Sequence, residues 1–122
     1  MNNPKTAYKI VGISGSLRIN STNTALLRLI IELAPKDRIA SFEIMNYITV
    51  PVYNNDFETF GVPDDVLKIS KKISEADAVY LSTPEYNYSI SSPMKNLIDW
   101  LCRVKPNPLL DKPCAIASVS AG

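Results

Sequence analysis

The 122-residue chain contains no histidine. That absence removes serine and cysteine triads with an imidazole base, histidine metal sites, and histidine acid–base chemistry at neutral pH. Cysteine is scarce as well: Cys102 and Cys114 are the only two, too few soft ligands for a zinc site without histidine beside them. One lies in an expected helix and the other in an expected strand, so both are read as small buried hydrophobes in a reducing compartment, with a disulfide or redox pair as the alternative. Charge of one sign is also missing, since the net charge is +1 and the basic residues are scattered, leaving no broad field for nucleic acid. No segment is apolar for long enough to cross a bilayer, and Met1 to Lys9 is polar and carries Pro4, unlike the apolar core of a signal peptide. The expectation is a cytoplasmic protein with neither nucleic acid nor membrane as partner. What chemistry remains falls to carboxylates, tyrosines and lysines, or, more economically, to a bound organic cofactor.

With 46% hydrophobic residues the chain has enough apolar material for one core, so residues 1–122 are expected to form a single domain. Its most informative stretch is Ser14-Gly15-Ser16-Leu17-Arg18-Ile19-Asn20-Ser21-Thr22-Asn23, between an apolar run ending at Ile13 and a helical pattern. A strand ends, Gly15 lets the backbone turn where a side chain would clash, and the following helix turns its unpaired N–H groups toward the loop. Hydroxyls at Ser14, Ser16, Ser21 and Thr22, the Asn23 amide and the Arg18 guanidinium add donors. Capping by Ser21 or Thr22 alone explains one hydroxyl; a phosphate cradle explains the set. Neither Gly-Lys-Ser/Thr nor G-x-G-x-x-G is present, so a terminal monophosphate suits the loop better than a nucleoside triphosphate or a pyrophosphate.

Period and punctuation give the remaining elements. Lys9–Ile13 reads as a buried strand, and Asn23–Ala34 as a helix with the stripe Leu26, Leu29, Ile30, Leu33, stopped by Pro35. Ala40–Met45 alternates like a strand near a sheet edge. Asn46–Gly61 has no period; it reads either as a packed loop near the site or as a surface loop pinned by Tyr47, Tyr53 and Phe57. Pro63 opens a helix through Val66, Leu67, Ile69, Ser70 and Ile73, with acids first and lysines later along a solvated face, as the helix dipole favours. Ala78–Ser82 is a nearly continuous apolar strand of the kind buried in parallel sheets. Met94–Arg103 is expected to be a helix with Leu97, Ile98 and Leu101 inward and Lys95, Asn96 and Asp99 outward, its Trp100 being core or subunit interface in preference to a ligand platform. A proline-bearing loop then leads to a fourth strand, Cys114–Ser120.

The loop Thr83-Pro84-Glu85-Tyr86-Asn87-Tyr88-Ser89 follows the second buried strand as the serine-rich loop follows the first. In an open α/β sheet two such ends flank the ligand crevice. Pro84 fixes the backbone, Tyr86 and Tyr88 offer flat faces, and Asn87 both donates and accepts. Alone the segment would pass for a tyrosine-rich surface turn; beside a phosphate cradle it becomes a grip for a planar heterocycle.

Gly-Ser-Leu-Arg-x-x-Ser-x-Asn (from Gly15), Pro-Glu-Tyr-Asn-x-Ser (from Pro84) and Lys-Asn-x-Ile-Asp-Trp (from Lys95), in that order, make the chain resemble the NAD(P)H-dependent FMN reductase family of flavodoxin-like proteins. The resemblance implies a doubly wound parallel sheet of order 2-1-3-4-5. It also implies FMN as cofactor, with the phosphate on Ser14, Gly15, Ser16, Arg18, Ser21, Thr22 and Asn23, and the ring against Pro84, Glu85, Tyr86 and Asn87. A third flavin loop would match Ser118, Ser120 and Gly122. The implied reaction takes hydride from NADPH or NADH and passes electrons to a small-molecule acceptor such as a quinone, azo compound, metal oxyanion or free flavin, with no side chain as acid or base. Family members continue for roughly 45 further residues, so the fifth strand and last helices are expected to be missing here, with the fourth strand left as an open edge and the chain a homo-oligomer that holds FMN less tightly. The alternatives are a flavodoxin-type electron carrier, which the net charge of +1 disfavours, and a truncated module unable to retain flavin.

Overall fold

The computed structural model describes residues 5–120. Four parallel strands form the sheet: β1 (Tyr8–Ser14), β2 (Ile39–Ile44), β3 (Ala78–Ser82) and β6 (Cys114–Ala117), in the order β2-β1-β3-β6. This is the expected 2-1-3-4 arrangement, the last strand taking a higher number because a small antiparallel hairpin, β4 (Glu85–Tyr86) and β5 (Ser89–Ile90), intervenes. That hairpin occupies a segment expected to be loop. Its two-residue turn puts Asn87 and Tyr88 at φ of 51° and 64°, as a type I′ turn requires at both central positions; asparagine tolerates this, whereas tyrosine gives no sequence signal for it.

Helix α1 (Thr22–Leu33) follows β1, and Ser21 caps it, its hydroxyl accepting from the Thr24 N–H at 3.1 Å. After β2 comes the single-turn α2 (Asn55–Glu58), capped by the Asn54 side chain inside the stretch expected to lack helix. Helix α3 (Asp64–Glu75) begins after Pro63 with Asp64 and Asp65 in its first turn and Lys72 in its last, matching the dipole. Helix α4 (Ser92–Leu101) carries proline in its first turn, where the lost N–H would be unpaired anyway.

Pairing across a parallel ladder puts partner residues on the same face. Val11 pairs with Val79, and these with Ile13 meet Val66, Ile69 and Ile73 of α3 and Met94, Leu97 and Leu101 of α4 in the main core. Gly12 faces the other way. A Cβ there would meet Leu27 and Phe42 carbons at 3.2 Å, so the missing side chain is what lets fully buried Leu27 seat against the sheet.

Several expectations on packing are corrected. The inner side of α1 runs through Asn23 and Leu27, while Leu29 and Leu33, assigned to the stripe, are exposed. Leu67 is exposed as well, and Phe57, named as a pin of its loop, is half open to solvent. Cys102 and Cys114 are both exposed: one caps the end of α4, the other starts the edge strand. Asn96 is not outward; its amide donates to the Pro51 carbonyl (2.9 Å) and accepts from the Tyr53 N–H (2.7 Å). Trp100, expected as core or subunit interface, is core: it is 0% exposed, with its indole N–H on the same Pro51 carbonyl at 2.8 Å and Tyr53 edge-on at 5.0 Å. The segment 46–61 is therefore the roof over α4. The final strand ends at Ala117, leaving Ser118 to Ser120 as loop. Among the described residues no helix is long and apolar enough to cross a membrane.

Candidate functional site

The sheet ends in hydroxyls at its carboxyl edge. Ser14 and Ser82 pair as the last register position of β1 and β3 and share the α1 face. The Ser82 hydroxyl donates to the Asn23 backbone carbonyl at 2.8 Å, and Ser14 Oγ shares a 2.7 Å hydrogen bond with Thr24 Oγ1. Two strands thereby bolt down the first turn of α1, which fixes where its free N–H groups point.

Gly15 is squeezed between the loops. Its N–H donates to the Ser82 carbonyl at 2.7 Å, its carbonyl accepts from the buried Ser91 hydroxyl, and a Cβ on it would lie 2.2 Å from Thr83 Oγ1. No side chain fits, so the serine-rich loop and the Thr83–Ser91 segment lie back to back. Below them the Tyr47 hydroxyl donates to the Ser14 carbonyl; burial pushes its pKa up to about 12, so it stays a donor at any physiological pH.

Asn23 acts as a clasp. Its amide NH2 donates to the Val119 carbonyl (3.2 Å) and its amide oxygen accepts from the Val119 N–H (3.1 Å), tying the loop after β6 to α1. Both ends of that amide are committed to the protein.

These ties bring three loops around one groove of about 240 Å3. Ser16, Arg18, Ser21, Thr22 and Asn23 line it from the first loop, Pro84, Glu85 and Tyr86 from the second, and Val119 and Ser120 from the third. Of the residues singled out in the sequence, Ser14 and Gly15 lie behind this lining as its support, Asn87 sits in the hairpin turn, Ser118 is exposed outside it, and Gly122 falls outside the described residues. Arg18 donates to the Asn20 carbonyl at 2.8 Å, which shapes the turn and leaves further guanidinium N–H groups to face the groove. In α1 the Thr24 and Ala25 N–H groups are satisfied by Ser21; those of Thr22 and Asn23 have no intrahelical acceptor. Two backbone donors, hydroxyls and one cation at a helix start form an anion site, and the Pro84 and Tyr86 side chains give its other end flat apolar surface.

Sequence reasoning named Tyr47 only as a pin of its loop and gave no supporting role to Thr83, Ser91 and Thr24. Thr83 and Thr24 carried a readable signal, as hydroxyls just after a buried strand and just after a helix cap; Ser91 carried none.

A parallel doubly wound sheet with its groove at the carboxyl ends of the strands, cradled by a serine-rich loop, defines the flavodoxin-like class of phosphate-bearing cofactor binders. Residues 8–122 match the family described as NADPH-dependent FMN reductase, and the chain belongs to that family. It is 43% identical over 114 residues to an NAD(P)H-dependent FMN reductase of Pseudomonas aeruginosa, covering 93% of this chain and 60% of that protein. It is 41% identical over 122 residues to an NADPH:quinone oxidoreductase of Arabidopsis thaliana, covering 97% and 61%. Among solved structures, the flavoenzyme NAD(P)H:(acceptor) oxidoreductase FerB of Paracoccus denitrificans superposes with a TM-score of 0.83 at 34% identity, over 94% of this chain and 62% of that one. The chain thus spans about 60% of the length of these curated relatives.

The residues present fit FMN. The cradle is closed to any Cβ at Gly15, its donors suit a dianionic phosphate, and the groove runs from that cradle to the apolar faces that a flat ring needs.

Proposed function

We propose that this chain binds the cofactor of an FMN-dependent oxidoreductase using NADPH or NADH. The observation that carries this reading is the convergence of three loops, at the ends of β1, β3 and β6, on one groove with anion donors at one end and aromatic surface at the other. Bound FMN supplies the redox chemistry, taking hydride from the nicotinamide and passing electrons to a small-molecule acceptor, a quinone in the first instance, with azo compounds, metal oxyanions and free flavin in the same class. The chain's own residues bind and orient. Arg18, Ser16, Ser21, Thr22 and the first N–H groups of α1 hold the phosphate; Pro84, Glu85 and Tyr86 lie along the ring; Asn23 fixes the third loop, where Ser120 lines the groove. The groove offers no buried carboxylate or tyrosine placed as an acid or base, so positioning and exclusion of water are the protein's share.

The protein would work in the cytoplasm as a homo-oligomer, supported by the uncovered apolar residues Leu29, Leu33 and Ile116. Sedimentation equilibrium reads the assembly, and a monomer at every concentration overturns it.

Titration of the purified protein with FMN and with riboflavin tests the site. Arg18→Ala removes a charge-assisted phosphate contact and is expected to cost about 1.5 to 3 kcal/mol of FMN affinity, while riboflavin binding stays as it was. Equal weakening of both flavins would remove the phosphate from this loop.

A further inference from the structure

A concavity of about 670 Å3 lies beside the flavin groove, between α1, β2 and the serine-rich loop, and apart from the shared Ser16 and Arg18 none of its lining has a part in holding FMN. The two meet at Ser16 and Arg18, which line both. Its volume is in the range of a nucleotide-sized ligand. Its charge is uneven. Arg18 and Arg28 are its cations and Glu43 its one carboxylate, but Glu43 is held by Lys72 of α3 at 3.2 Å. Arg28 makes no hydrogen bond or ion pair among the described residues, and Arg18 spends one donor on Asn20. Beneath the arginines, Ile31, Phe42 and Ile44 give the concavity an apolar floor. Phe42 and Ile44 pair with Ile10 and Gly12 of β1 and so face the α1 side of the sheet.

An unneutralised pair of guanidinium groups above an apolar floor is complementary to a phosphorylated purine nucleoside: the base lies on the floor and the phosphate takes the arginines. We infer that this groove binds the adenosine end of the nicotinamide dinucleotide, with Arg28 recognising the 2′-phosphate that distinguishes NADPH from NADH. The inference rests on the reading of the chain as a dinucleotide-using flavin reductase and gives that reading its cofactor preference. Adjacency is consistent with it, because the concavity opens onto the phosphate end of the flavin groove at Ser16 and Arg18, and a dinucleotide is long enough to hold its adenosine end here and extend along the groove toward Pro84 and Tyr86. Arg18 then serves both ligands and Arg28 only one.

Calorimetric titration with adenosine 2′,5′-bisphosphate and with AMP tests this, on the protein with and without added FMN. The bisphosphate is expected to bind roughly tenfold or more tightly than AMP, Arg28→Ala to abolish that difference, and Arg28→Lys to restore part of it. The FMN dissociation constant should be the same in all three proteins, Arg28 being outside the flavin groove. In turnover, Arg28→Ala should raise KM for NADPH and leave that for NADH. Equal binding of the two nucleotides, or an Arg28→Ala protein that still prefers the bisphosphate, overturns the inference; displacement of both by inorganic phosphate at equal concentration would show a site for a small anion only and overturns it too. A protein that takes up no FMN yet discriminates the nucleotides would instead overturn the flavin reading and leave this site standing.

Discussion

On one face of the sheet, α3, α4 and the segment 46–61 enclose Val11, Ile13, Val79, Tyr47 and Trp100; on the other, α1 lies alone, with Leu27 its one fully buried apolar side chain. The first face is held by shape, large side chains interlocked under a roof. The second is held mainly by polar ties at one end, where Ser14, Ser82 and Asn23 fix the start of α1, while the far end leaves Leu33 73% exposed. Stability and ligand binding are thus divided between the faces. Apolar burial on the α3–α4 face supplies most of the folding free energy, and the hydroxyl-rich end of the α1 face supplies the geometry of the groove.

The largest expected effect is on the closed face. Trp100→Ala removes a fully buried aromatic and its contact with Tyr53, and leaves the Pro51 carbonyl with one donor fewer, so it should cost about 3 to 5 kcal/mol in urea unfolding. Leu27→Ala on the other face should cost less, about 2 kcal/mol, the low end for such a truncation, because only one helix has to settle into the space left. Comparable losses in the two variants would show that α1 is as firmly packed as α4.

The two faces also differ in how far they could be read from the sequence. On the α3–α4 side the apolar period selected Val66, Ile69 and Ile73 because α3 carries charge on its other side. In α1 apolar residues occupy Leu26, Leu27, Leu29, Ile30, Ile31 and Leu33, nearly all round the helix, so the period does not choose a phase. What chooses it is tertiary: Asn23 bonded to Val119 fixes the rotation and brings Leu27, four residues on, over Gly12. The roof over Trp100 was hidden for a similar reason, since 46–61 follows no period and its seating depends on the carbonyl of Pro51 and the side chains of Asn96 and Trp100 more than forty residues away. The site fared better. Serines and arginine crowded after a strand announce an anion site whatever the rest of the fold does, but which hydroxyls face the ligand and which, like Ser14, hold the frame depends on pairing across strands.

The smallest expected effect is electrostatic and again separates the faces. Glu58 accepts from Arg103 Nε at 2.7 Å and from the Tyr53 hydroxyl at 2.6 Å, and these hydrogen bonds, the Arg103 one foremost, hold its carboxyl below the usual glutamate range. A carboxyl whose pKa is lowered by folding adds stability that is present above its unfolded value, near 4.3, and lost as the pH falls through the folded one. Asp77, bonded to Lys5 and the Lys9 N–H, behaves the same way at the start of the sheet, so acid should weaken the fold at both places. Of these two carboxyls only Glu58 belongs to the roof, where its partner Tyr53 meets Trp100 edge-on. Lowering the pH from 6 to below the ordinary glutamate value, until the Glu58 carboxyl takes up its proton, should therefore change the fluorescence of Trp100, the chain's single tryptophan, before the sheet unfolds, and Glu58→Gln should remove that early change while Asp77→Asn keeps it. A fluorescence change that simply tracks loss of far-ultraviolet dichroism in all three proteins would mean that the roof has no separate acid response and that the closed face opens as one unit.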